Sequence, residues 1–127
     1  MEPKAKPTAK KLAGNQAEAL ARQFLQQKGF EFHQANFQCK TGEIDLIMQD
    51  RDMLVFVEVR FRADTRLGSP LETITAAKQR KLIRTAHFFL QQHCGNRWPP
   101  CRFDVVGISG ELDALPHIDW IANAFGA

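Results

Sequence analysis

GEIDLIMQDRDMLVFVEVR, residues 42–60, decides how this chain is read. Two apolar runs flank a polar tetrapeptide, QDRD at 49–52, in the pattern of a β-hairpin. Each run carries an acid in its interior, Asp45 in the first and Glu58 in the second. A carboxylate bound for a core is costly unless something pairs with it. A two-residue loop at Arg51-Asp52, or a four-residue loop over 50–53, sets a register with Asp45 directly across from Glu58 and Glu43 across from Arg60. The Cβ atoms of such a pair lie roughly 4.5–5.5 Å apart, where like charges repel. Two acids kept there require a cation, a shared proton or a basic side chain. An odd-length loop or a bulge would separate them instead and leave Glu58 to pair with Arg60 or Arg62 at a wet edge.

The second run also reports where the hairpin sits. Val55, Val57 and Val59 alternate with Leu54, Phe56 and Glu58, so both faces are apolar except at the acid. That is the pattern of a central strand buried on both sides. The polar residues gather at the end of the hairpin away from its turn, as they would around a cleft at the edge of a core.

Outward from the hairpin, Asn15 to Lys28 has helical spacing at Ala17, Leu20, Ala21, Phe24 and Leu25, and Gly29 is a natural stop. FEFHQANFQ, residues 30–38, reads as an extended segment. ADTRLGSP, residues 63–70, is a loop, and Pro70 suits the first turn of a second helix that runs to about Gln92. GNRWPP breaks that helix, CRFDVVGI at 101–108 is a strand, and HIDWIANAF at 117–125 is a short last strand. The order α-β-β-β-α-β-β mixes helices with a small sheet, so the class is α/β or α+β. Residues 1–13, rich in Lys, Ala and Pro, read as a disordered basic tail, and residues 14–127 as a single domain.

Three more polar residues stand against apolar stripes. Lys78 lies at the centre of the stripe Leu71, Ile74, Leu82, Ala86, Phe89 on the second helix, where it either snorkels to solvent or meets an acid. Glu18 lies beside Ala17 and Ala21 on the first helix and either pairs with Arg22 or reaches a cleft over the sheet. Asp104 is an acid inside an apolar strand, with Arg102 or another basic residue as its partner.

Composition bounds the remaining classes. A length of 127 residues with 44% hydrophobic and 24% charged residues is that of one ordinary globular domain. The net charge of +3 permits a nucleic-acid partner without demanding one. Three cysteines, Cys39, Cys94 and Cys101, with no CxxC spacing fit a reducing cytoplasm. The opening MEPKAKPTAKK lacks the apolar region of a secretory signal, and no apolar stretch approaches the ~20 residues that span a bilayer, so no membrane role is expected. His87, His93, Cys94 and Cys101 match no structural zinc spacing.

An acid, a short gap and then Glu-x-Arg on a central strand resembles the PD-(D/E)XK nuclease pattern. More closely, GNQAEALARQFLQQKGF (14–30), the hairpin with its two following residues (42–62), GSPLETITAAKQRKLIRTAHFFL (68–90), RFDVVGI (102–108) and HIDWIANAF together resemble the YraN-like bacterial family, which is similar in fold to archaeal Holliday junction resolvases. The resemblance implies a restriction-endonuclease-like, resolvase-like core: a small mixed central sheet flanked by helices. It implies a divalent-metal-dependent endonuclease acting on DNA, including branched or structured DNA, with Mg²⁺ or Mn²⁺ held by Asp45 and Glu58 and with Glu18 as an outer acid of the metal site. Arg60 takes the place of the nuclease lysine. That is a departure, because arginine is always charged and cannot act as a base. Lys78 is a substitute for that lysine, reaching the site from its helix. A non-cleaving nucleic-acid-binding module of the same fold is the alternative, and a partner-binding protein with a vestigial site is a third reading. Arg51, Arg60, Arg62, Arg66, Lys78, Arg80, Lys81 and Arg84 are the cations nearest the cleft in sequence and are candidates for a DNA path. Some resolvase-like folds pair as homodimers, and nothing in this sequence marks a dimer face.

Overall fold

The computed structural model describes residues 9–64, 74–112 and 114–126. Seven elements follow in order: α1 (Ala9–Gln27), β1 (Glu31–Cys39), β2 (Gly42–Asp50), β3 (Met53–Arg62), α2 (Ala76–Cys94), β4 (Cys101–Ser109) and β5 (His117–Phe125). This is the α-β-β-β-α-β-β order expected from the sequence. The strands form one sheet in the order β1-β2-β3-β4-β5. β3 and β4 run parallel and the other neighbours antiparallel, so the sheet is mixed. A parallel pair needs a crossover connection, and α2 lies in the connection between β3 and β4.

The helices cover opposite faces. Ala17, Ala21 and Leu25, one helical turn apart, pack on Val55 and Val57 of β3 with Leu46, Met48, Val106 and Ile108. On the other face Leu82, Ala86, Phe89 and Leu90 of α2 pack on Leu54 and Phe56 with Ile44, Ile47 and Phe103. β3 is therefore the central strand, buried on both sides as its alternation predicts.

Two helix starts differ from the sequence reading. α1 begins at Ala9, not Asn15, because Ala9 to Ala13 are mostly good helix formers that continue the helix backwards. Residues 1–8 of the expected tail lie outside the described residues. α2 begins at Ala76, behind an extended Thr75 whose side chain accepts from the Lys78 N–H at 3.2 Å. This N-cap sets the start, so Ile74 precedes the helix and does not belong to its stripe. Pro70 and Leu71 lie outside the described residues.

The hairpin turns at Arg51-Asp52, and its register runs from Asp50↔Met53 to Leu46↔Val57, as the two-residue loop requires. Beyond Leu46 the strands part. β2 continues with β1 as far as Cys39↔Gly42, while β3 continues with β4 as far as Arg62↔Ser109. The expected pairs Asp45–Glu58 and Glu43–Arg60 are therefore not ladder pairs. The cause is a break in the pleat. Residues two apart on a strand share a face, yet Ala35 and Leu46 pack on the α1 side and Phe37 and Ile44 on the α2 side. Both strands change face at Asn36 and Asp45, between the pairs Ala35↔Leu46 and Phe37↔Ile44. Asn36 takes φ 54°, a left-handed conformation that asparagine tolerates better than most residues.

Candidate functional site

A cleft opens where β2 leaves β3. Splitting the ladder frees backbone groups that must be satisfied, and the Val59 N–H donates to Asp45 Oδ2 at 2.8 Å. Asp45 is thus fixed by the fork itself, beside Glu58 on the other branch. Glu58 is 13% exposed, and its Oε1 lies 3.3 Å from Arg60 Nε on the same strand. That nitrogen is buried and makes no hydrogen bond of good geometry, so its contact with Glu58 is an ion pair alone. Glu43, the partner expected for Arg60, is exposed at the rim.

The opposite walls complete the cleft. Glu18 of α1 is half-buried and faces Asp45, with the Asn36 side chain beside it, favouring its charged form. Arg22, the alternative partner for Glu18, lies 3.6 Å above the Phe32 ring instead. Lys78 stands in line with the buried Leu82, Thr85 and Phe89 of α2, one turn past the end of the core. Its side chain is exposed, yet it lines the cleft with Glu58 and Arg60. Its side chain reaches solvent, and its charge acts on Glu58 from across the cleft.

The electrostatics follow from this crowding. Burial pushes the Asp45 carboxyl up to about 7, and the charge of Glu58 adds to the shift, against the Val59 hydrogen bond. Burial also pushes Glu18 up to about 7, with the charge of Asp45 next. Glu58 is raised by burial, and the charges of Arg60 and Lys78 oppose the rise. Asp45 and Glu18 thus hold protons far above their usual range, and Glu58 is raised with them, unless positive charge arrives.

Asp45 and Glu58 are the pair that can hold a cation, with Glu18 behind them. Among the described residues no three His, Cys, Asp or Glu side chains form a ready cage for a metal ion. Lys78 and Arg60 are the cations beside the pair. Arg62 and Lys81 also line the cleft, whereas Arg80 and Arg84 are exposed on α2 away from it and Arg51 sits in the distant turn. Arg66 lies outside the described residues. Away from the cleft, His87 packs by Trp98 and His93 stacks on Phe89.

Asn36 and the floor made by Gly42 and Thr85 are missed by the sequence reading, which has Lys81 only as one of eight cations for a DNA path. Asn36 left one signal: asparagine is disfavoured inside a strand. Gly42 has φ 149°, and a Cβ there would lie 3.2 Å from Thr85 Oγ1, so glycine lets the β1–β2 turn close onto α2.

Residues 17–108 match the model of the uncharacterised protein family UPF0102. The chain belongs to this family. It corresponds to the YraN-like family that the sequence resembles. A UPF0102 protein of Nitrosococcus oceani is 48% identical over 94% of this chain and 96% of its own length. One from Nitrosomonas europaea is 50% identical over 88% of this chain and 92% of its own. An Enterobacter relative is 44% identical over 93% of this chain and 87% of its own. The matched residues include Glu18, Asp45, Glu58, Arg60 and Lys78. No helix among the described residues is long and apolar enough to cross a membrane.

Proposed function

We propose that this UPF0102 chain is a divalent-metal-dependent endonuclease whose centre is the fork of β2 and β3, acting on DNA, branched or structured DNA included. The observation that carries the reading is the convergence of Glu18, Asp45 and Glu58 in one cleft, with Glu18 and Asp45 pushed up to about 7. Such a group is stable as carboxylates only beside a cation.

The donor set fits Mg²⁺ or Mn²⁺. It is all oxygen, and Mg²⁺ is usually held by one or two carboxylates while keeping several waters. Asp45 and Glu58 would be those two, with Glu18 bonded through water as the outer acid. A bound divalent ion polarises a phosphate and lowers the pKa of its water. The chain's own residues do the rest. The Val59 N–H keeps Asp45 Oδ2 turned into the cleft. Arg60 offers a planar fork to phosphate oxygens and balances Glu58, but it does not take up a proton. Lys78 brings a mobile ammonium to the same place, in the role of the nuclease lysine.

One observation favours the second reading, a DNA-binding module that does not cut: Arg60 stands where the nuclease pattern has lysine. The two readings separate in a cleavage screen. Linear duplex, single-stranded and four-way-junction DNA are incubated with the protein in Mg²⁺, Mn²⁺ or chelator, beside Asp45→Asn. Metal-dependent cutting lost in the variant supports the nuclease. Salt-sensitive binding with no cutting on any substrate would leave the binding module. Absence of both would sink DNA as the partner.

A further inference from the structure

We propose that the recess between α2 and the β1–β2 turn is a phosphate subsite in which Lys81 holds the DNA phosphate next to the one at the acid cluster, so that a bound strand leaves the cleft along α2. The inference rests on the reading of the cleft as a DNA-processing centre and adds a direction to it.

The walls of the cleft differ in charge. The outer recess on the α1 side is bounded by Glu18, Glu43 and Asp45 against Lys11 alone. Three acids against one cation repel a phosphate. The recess on the α2 side has Arg60, Lys78 and Lys81 against Glu43 and Glu58. The space joining them along the last residues of β3 has Arg60, Arg62 and Lys78 against Glu18. The cations of these two recesses come from β3 and α2 and none from α1. α2 itself carries no Asp or Glu from Ala76 to Cys94.

Helix geometry selects Lys81 among the cations of α2. Lys78, Lys81, Leu82 and Thr85 stand at i, i+3, i+4 and i+7, which share one face. Leu82 and Thr85 seat that face on the sheet, so Lys81 is carried to the mouth of the recess. Arg80, one residue earlier, is turned about 100° away around the helix. The floor presents no competing charge. Thr85 is fully buried, and its hydroxyl is engaged with the Lys81 carbonyl and the Thr41 hydroxyl at 2.9 Å each. The recess holds about 220 Å³, against ~30 Å³ for one water of the liquid, so a phosphate group enters it together with water.

The test compares two neutralisations of equal charge on neighbouring residues, Lys81→Gln and Arg80→Gln. Binding of labelled single-stranded and duplex DNA is measured by anisotropy in chelator, across a salt series. Lys81→Gln is expected to weaken binding roughly tenfold, as loss of a charge-assisted bond does, and to flatten the slope of log K against log salt by about 1. Arg80→Gln keeps the wild-type slope, and Lys81→Arg restores it. Thermal midpoints of all three stay at the wild-type value, so a folding defect is read separately. Equal slopes for Lys81→Gln and Arg80→Gln in a wild type that binds DNA overturn the subsite and leave the proposed function standing. A wild type that binds no DNA at any salt, in chelator or with Ca²⁺ supplied, overturns both.

Discussion

Two aspartates sit inside strands of the same sheet, and both accept a backbone N–H from the neighbouring strand. Asp104 takes the Asn123 N–H at 2.9 Å, opposite a shift in the β4–β5 register. Asp45 takes the Val59 N–H at 2.8 Å, where β2 leaves β3. Their surroundings separate them. Asp104 is fully buried and also accepts from Trp120 Nε1 and from Arg102 Nε, both at 3.0 Å. Arg102 is held in turn by Asp50 at 3.6 Å. Asp45 has Glu58 and Glu43 for neighbours, and both charges raise its pKa. One carboxylate is a finished structural joint. The other is left short of positive charge, at the mouth of a cleft. Burial of an acid therefore does not by itself mark a site; the mark is burial without enough donors.

The largest expected effect tests the finished joint. Asp104→Ala strands the Arg102 guanidinium, the Trp120 indole and the Asn123 amide, and should cost about 3–5 kcal/mol, as removal of one partner from a buried pair does. A urea midpoint reads this directly, and a loss under ~1 kcal/mol would erase the contrast between the two aspartates.

Asp45→Asn should go the other way. In the folded chain Asp45 and Glu18 hold their protons up to about 7, above their ordinary values of 3.8 and 4.5. The folded state then binds more protons than the unfolded state between those limits, so stability falls as pH climbs from about 4 through 7. Without metal, Asp45→Asn should remove much of that fall and stabilise the protein at pH 8 by roughly 2–4 kcal/mol. Metal-free melts from acid to mildly basic pH check it, and a wild-type curve that rises over this range would contradict the crowding.

Smaller effects sharpen the account of why Asp45 is there. Asn36→Val puts a β-branched residue at φ 54°, which should cost about 1–2 kcal/mol and shift Asp45, whereas Asn36→Gly should be nearly neutral. Denaturant midpoints of the pair separate backbone strain from loss of the side chain beside Glu18. Lys78→Ala, on an exposed side chain, should leave the melting point alone while slowing DNA cleavage at least tenfold. An unchanged rate would end its candidacy for the lysine role.

Much of this contrast was legible in the residues. The hairpin and its turn were legible, while its register stayed open between a two- or four-residue loop and a bulge; the structure takes the register of the two-residue turn at Arg51-Asp52. Arg102 was one of the basic partners open to Asp104 in RFDVV, and that pairing is present. The fork was not legible. Alternation extends a ladder indefinitely, and the break at Asn36 and Asp45 comes from two strands changing face together. Glu18 had two partners at compatible spacing, and only packing of α1 on the sheet chose the cleft. The start of α2 went to Thr75 because its cap at Lys78 N sets the boundary.

The central claim is that Asp45 and Glu58 form a cation site that Asp104 does not. Calorimetric titration of Mg²⁺ and Mn²⁺ tests it, on the wild type and on Asp45→Asn/Glu58→Gln, each with and without a DNA oligonucleotide. The account predicts binding in the wild type, release of protons as the crowded acids ionise, and loss of both signals in the double variant. Silence in the wild type even with DNA present, or an undiminished signal in the variant, would contradict it.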